Sequence, residues 1–144
     1  MGKIMKENIE GLTLDVLIKQ QHFINLIKRV DSVEGAISVC KDLKIDISDI
    51  KFHPDDSPSI QAFGRLQIIA KALNEGWKPN WNDADEYKYY PWFRYEGRSF
   101  VFSAVTASYC RTHAGGGSRL CLKTSALAEY MGKQFIELYK DYLF

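Results

Sequence analysis

The chain has 144 residues, 46% of them hydrophobic and 26% charged, with a formal net charge of +1. That balance suits one soluble domain with a core of its own, and it argues against bulk binding of nucleic acid or of an anionic membrane. No apolar run approaches the ~18 residues of a membrane span, and MGKIMKENIEG lacks the apolar stretch of a secretory signal.

Residues 1–11 are polar and read as a loose lead-in. Thr13 then caps a predicted helix starting at Leu14, whose apolar face is Leu14, Leu17, Ile18, Ile24, Ile27 and Val30. Ser32 caps a second helix carrying Ala36, Ile37, Val39, Cys40 and Leu43, with Gly35 inside it as an unfavourable residue. Ile45–Ile50 alternates apolar and polar, which fits a short strand, a turn or a single helical turn equally. FHPDDSPS (52–59) is a loop that divides an N-terminal helical part, 1–58, from the remainder, 59–144, within one compact domain. Pro58 opens a helix running to about Glu75, with Ile60, Phe63, Leu66, Ile69 and Leu73 on one face and Gly76 ending it.

Tyr87–Cys110 reads as an aromatic hairpin turning at Glu96-Gly97. That register sets Phe93 against Phe100 and Pro91 against Phe102, a face that continues to Tyr89 and Ala104 and is expected in the core. Lys88, Tyr90, Trp92 and Arg94 then fall on the opposite face. Pro91 marks an edge or a bulge. SRLCLKT is expected as a third strand. Thr124 or Ser125 caps a closing amphipathic helix whose stripe is Leu127, Met131, Phe135, Leu138 and Tyr142. The fold class is therefore α+β: N-terminal helices, a small antiparallel β-sheet of a hairpin plus a third strand, and a C-terminal amphipathic helix packed on it.

Motifs for chemistry are sparse. Cys110, His113 and Cys121 sit near one another in sequence, but zinc closure needs a fourth ligand, and the three cysteines form no C-x-x-C pair. They read as reduced thiols, mostly buried, and no metal or cofactor is expected. Cys110, His113 and Asp141 make a triad on paper without any surrounding signature. The carboxylates of Asp55-Asp56 and Asp83, Asp85 and Glu86 fall in loops, where turn and cap roles account for them.

Two features point to ligand binding. Gly115-Gly116-Gly117 precedes Ser118-Arg119, with Lys123 further along the same strand face and Arg111 at the loop's start. Successive glycine N–H groups form anion-binding nests, although the Walker A spacing is absent. The bland alternative is a flexible connection. The second feature is the crowd of aromatic residues Trp77, Trp81, Tyr87, Tyr89, Tyr90, Trp92, Phe93 and Tyr95, interleaved with Lys88 and Arg94. Such rings stack planar ligands while cations hold phosphate, or they simply pack a sheet. The expected ligand-binding set is Trp77, Trp81, Tyr90, Trp92, Arg94, Gly115, Gly116, Gly117, Arg119 and Lys123.

LNEGWKPNW (73–81), YYPWF (89–93) and SRLCLKTSALAEYMGKQFIELYKDYL (118–143), in that order, resemble a C-terminal segment that recurs in uncharacterised proteins of phages and prophages from gut anaerobes. The resemblance spans about half of the chain and transfers no catalytic residue. It implies expression in the cytoplasm of a host bacterial cell. The expected function is that of a phage-encoded, non-catalytic accessory protein. It would bind a small anionic, nucleotide-like ligand, as a sponge for a nucleotide-derived signal of host defence. The alternative is a structural or protein-interaction module, either a virion component or an inhibitor docking on a host protein. A homo-oligomer is expected in either case.

Overall fold

The computed structural model describes the backbone of residues 2–111 and 118–144 and the side chains of 13–111 and 119–144. The elements in order are α1 (Gly2–Arg29), α2 (Val33–Asp42), α3 (Pro58–Leu73), β1 (Lys88–Glu96), β2 (Ser99–Ser108), a 3-10 turn (Ser118–Leu120), α4 (Ser125–Gln134) and α5 (Ile136–Leu143). The architecture is α+β. One buried cluster joins Leu26, Val30, Val39 and Cys40 from the first part to Leu66, Ile69, Leu73, Leu122, Met131 and Tyr139 from the second.

The expected helix start at Thr13 is corrected. Residues 2–13 are helical, and Thr13 lies inside α1 rather than capping it. The polar lead-in carries no proline, so nothing stops the helix from extending through it. At the other end, Ser32 caps α2 by accepting from the Gly35 N–H at 3.0 Å. Gly35 is required there, because a Cβ would collide with the Arg29 carbonyl oxygen. The α1–α2 corner is tied down by Tyr130, whose single hydroxyl hydrogen is shared between the carbonyls of Val30 (2.7 Å) and Ile27 (3.0 Å).

α3 is the central element. Leu66, Ile69 and Leu73 are fully buried, and Gln67, Ile68, Ala70 and Ala72 are buried as well, so its C-terminal half is enclosed on nearly every side. Ile60, expected on the apolar face, is exposed, because the first turn stands clear of the core. The 45–50 segment is a turn rather than a strand, closed by Ile50 N–H to the Ile47 carbonyl at 3.1 Å.

The hairpin turns at Gly97-Arg98, one residue later than the Glu96-Gly97 turn expected; Gly97 takes the left-handed φ of +62°. Phe93 therefore pairs with Phe102, and Tyr95 with Phe100. A shift of two places keeps each residue on its own face, so Phe93, Phe100 and Phe102 still meet the helices. Phe93 packs on Tyr139 at 4.8 Å between ring centres. A bulge between Trp92 and Phe93 then shifts the register, so that Trp92 pairs with Ala104 and Pro91 with Val105.

The expected third strand is corrected. Ser118–Leu120 is a 3-10 turn, and Leu122 makes a single antiparallel bridge with Tyr89 (N–O 2.9 and 3.0 Å). Its backbone is held instead by Asn74, as described below. The closing helix is two helices. Phe135, at φ −112° and ψ 30°, interrupts it, and the break resets the phase: Tyr139 is buried, while Leu138 and Tyr142 are only half-buried. α4 lies close on the sheet because position 132 is glycine; a Cβ there would sit 2.5 Å from the Pro91 side chain and 2.9 Å from the Phe102 ring.

Candidate functional site

Of the expected binding residues, Tyr90, Trp92 and Arg94 line one cavity and Trp77 and Arg119 another, while Trp81 and Lys123 line neither. Gly115, Gly116 and Gly117 lie outside the described residues, as does His113.

The first is an aromatic cleft of about 250 Å³ along β1, lined by Tyr90, Trp92, Phe93, Tyr95, Tyr139 and Phe144 among others. Tyr90 is not on an open face, as expected, but buried at its floor. The reason is that the start of β1 is covered on both faces, by the helices on one and by the 77–86 loop and Leu120–Leu122 on the other. Trp92 and Tyr95 stand at the rim, each about half exposed (51% and 48%). Arg94 also lines this cleft, but its guanidinium is bound to the Glu96 carboxylate and donates to the Ser103 hydroxyl at 3.3 Å. The local charge is thus cancelled, and the cleft is chiefly apolar.

The second is a polar cleft of about 630 Å³ at the C-terminal end of α3. Its walls are the 43–49 turn, the 74–79 loop and the Arg119–Cys121 segment. The loop reverses sharply because Glu75 and Gly76 both take positive φ, +50° and +86°. Trp77 then closes the turn through its N–H to the Asn74 carbonyl at 2.9 Å. Asn74 is buried and holds the Arg119–Lys123 side of the wall at two points. Its amide donates to the Cys121 carbonyl at 2.9 Å, and its oxygen accepts from the Lys123 N–H at 3.0 Å. That side chain fixes Arg119–Lys123 against α3, the task expected of a third strand.

Four cations line this cleft: Lys44, Lys71, Lys78 and Arg119. Three carboxylates accompany them: Asp46, Asp49 and Glu75. Lys71 donates to the Asp46 carbonyl and to the Asp49 carboxylate, both at 2.8 Å. Arg119 approaches Asp49 at 3.5 Å and donates to Gln67 at 3.4 Å. The hydrogen bond from Lys71 holds the Asp49 carboxyl below the usual carboxylate range, aided by the charge of Arg119. Hydrogen bonds from the hydroxyl and N–H of Ser48 do the same for Asp46. Lys123 points to Glu75 at 3.5 Å, where His22 also bonds at 2.9 Å, so Lys123 acts beside the cleft rather than in it. Cys121 lines the cleft, and burial pushes its thiol up to about 11. It is therefore protonated at neutral pH and no thiolate nucleophile.

Trp81 belongs to neither cavity. Its ring covers the ammonium of Lys88 at 5.3 Å. Lys88, placed by sequence on the open face, is fully buried. It donates to the carbonyls of Asn80 (2.6 Å), Asp83 (3.2 Å) and Glu86 (3.0 Å) and pairs with the Glu86 carboxylate at 3.3 Å. It is the internal tie of the 77–86 loop. The acidic residues of that loop were a signal for it, since buried lysines need converging oxygens.

Sequence reasoning also missed Lys44, Lys71 and Lys78, which are far from Arg119 in sequence and come together only around the end of α3. Among the described residues no group of three or more His, Cys, Asp and Glu is placed to hold a metal. Cys110 is exposed and Cys121 buried, so these two sit in unlike surroundings. No described helix is long and apolar enough to cross a membrane. Comparison with protein-family models, curated proteins and solved structures finds no match.

Proposed function

We propose that the polar cleft binds a small anionic ligand with a planar part, of the nucleotide class, without turning it over. The observation that carries this reading is the gathering of Lys44, Lys71, Lys78 and Arg119, one positive charge more than the Asp46, Asp49 and Glu75 carboxylates among them, with Trp77 around one cleft of about 630 Å³. That volume falls in the usual range for small-molecule sites, ~300–1,000 Å³. Cations hold phosphate by charge-assisted hydrogen bonds, and an indole stacks a base. Asn74 is already spent on the wall, and the protonated Cys121 offers no nucleophile, which favours capture over catalysis.

The resemblance to phage and prophage proteins suggests what such capture is for: sequestering a nucleotide-derived signal of host defence, in the host cytoplasm. Titration calorimetry against cyclic and linear nucleotides tests it. Arg119→Ala or Trp77→Ala is expected to weaken binding by ~1–3 kcal/mol. Absence of binding below high micromolar with every nucleotide, or variants that bind like the parent, would sink the reading.

The aromatic cleft favours the second reading, a module that docks on a host protein. Half-exposed Trp and Tyr beside a paired arginine are frequent at protein interfaces.

A further inference from the structure

α1 spans 28 residues, roughly 42 Å. Only its C-terminal end is embedded: Leu26 and the following Val30 are buried, with Phe23 packed against the same cluster. Residues 13–22 are exposed throughout. Yet this exposed stretch includes Leu14, Leu17 and Ile18, at 55–59% exposure, and Ile24 follows at 39%.

Val16, at 52%, lies off their line, but these four fall along one side of the helix. Leu14, Leu17, Gln21, Ile24 and Lys28 recur at spacings of three and four, the pattern of a coiled-coil seam, with Ile18 at its flank. At 100° per residue this stripe lies on the side of the helix opposite Phe23, Leu26 and Val30. It therefore faces away from the body of its own chain. A solvated helix with such a stripe is marginal alone and gains its stability from a packed face.

We propose that this stripe is a homodimer seam, in which α1 pairs antiparallel with α1 of a second copy. The seam matches itself in that direction. Leu14 lies level with Ile24 of the second copy, and Leu17 with Gln21, so the polar Gln21 meets an apolar side chain. The same register keeps Lys28 apart from its copy, whereas a parallel pair sets Lys28 against Lys28. The helices then overlap over residues 10–28, about 28 Å. Two such helices bury on the order of 1,000 Å², the lower bound of a specific interface. The antiparallel pair also sends the two bodies to opposite ends, where they do not compete for space. Gln21, bonded to Asn25 at 2.8 Å, puts a polar side chain in each of the two central layers of the seam and so defines the register at a cost in affinity.

The test is sedimentation of the whole chain up to about 200 µM, because an interface at the low end of the size range associates weakly. The expected mass at the upper end is twice the 16.5 kDa of one chain. Leu17→Lys touches an exposed side chain and leaves the body's melting unchanged, while weakening the dimer at least about tenfold. In a Cys110→Ser background, Leu14→Cys chains are expected to cross-link to Ile24→Cys chains and not to one another. A monomer at every concentration overturns the proposal and leaves the stripe to a foreign helix. A dimer indifferent to Leu17→Lys, or Leu14→Cys chains that cross-link among themselves, overturns it equally.

Discussion

Replacing Lys88 by methionine keeps the stem and removes the ammonium. In the parent, that group's three hydrogens go to the carbonyls of Asn80, Asp83 and Glu86, with the Glu86 carboxylate at 3.3 Å and the Trp81 ring over it. Hydrogen bonds to a charged donor contribute ~1.5–3 kcal/mol each. Their sum is not what the variant loses, since burying the ammonium costs several kcal/mol in the parent. Deleting one partner of a buried ion pair costs ~3–5 kcal/mol. The lower end applies here, because Glu86 is partly exposed and can regain water. The expected loss is therefore about 3 kcal/mol, read as a shift of the urea midpoint at constant slope. Trp81 fluorescence should change in the folded variant as its cation departs. A loss under about 1 kcal/mol would show that the loop holds itself and that Lys88 is incidental. Since the same loop carries Trp77, ligand binding at the polar cleft should weaken along with stability.

Phe135→Ala, at a buried ring packed edge-on to Tyr130, should cost ~3–5 kcal/mol in the same urea experiment. Asp49→Asn removes the carboxylate that engages Lys71 and Arg119, so nucleotide affinity measured by calorimetry should rise several-fold. The pH dependence has a definite sign. The folded-state pKa of Asp49 lies below its unfolded value of about 3.9, so its stabilising part is present above that pH and is lost as pH falls through the folded value. Acid unfolding of Asp49→Asn should accordingly be shallower than that of the parent. Ellman's reagent should find one fast thiol, exposed Cys110, because burial raises the pKa of both Cys40 and Cys121; Cys110→Ser should abolish the fast phase, and two fast thiols would contradict the burial.

Local chemistry made much of the fold legible. Ser32 and Thr124 cap the helices they precede, Pro58 opens α3, and the 3.6-residue period picks out Leu66, Ile69, Leu73, Leu127 and Met131 as core. What escaped reading depends on neighbours remote in sequence. Tyr90 and Lys88 are buried because a loop and the Leu120–Leu122 segment cover a face that alternation alone assigns to solvent. The Phe135 break is invisible because phenylalanine is compatible with a helix, and only packing of Tyr139 on the hairpin draws the chain out of phase. Arg119 and Trp77 line one cleft, whereas Trp92 and Arg94, grouped with them in the sequence, line the other. The bulge and the 3-10 turn send the two pairs to different cavities.

That 3-10 turn is a party wall. Leu120 lines the aromatic cleft while its immediate neighbours Arg119 and Cys121 line the polar one, and the backbone beyond is pinned to α3 through Asn74. One residue of backbone thus separates the two cavities, so a ligand that displaced Leu120 in the aromatic cleft would also move Arg119 and Cys121 in the polar one; were the two sites coupled in this way, the factor would be the same in both directions.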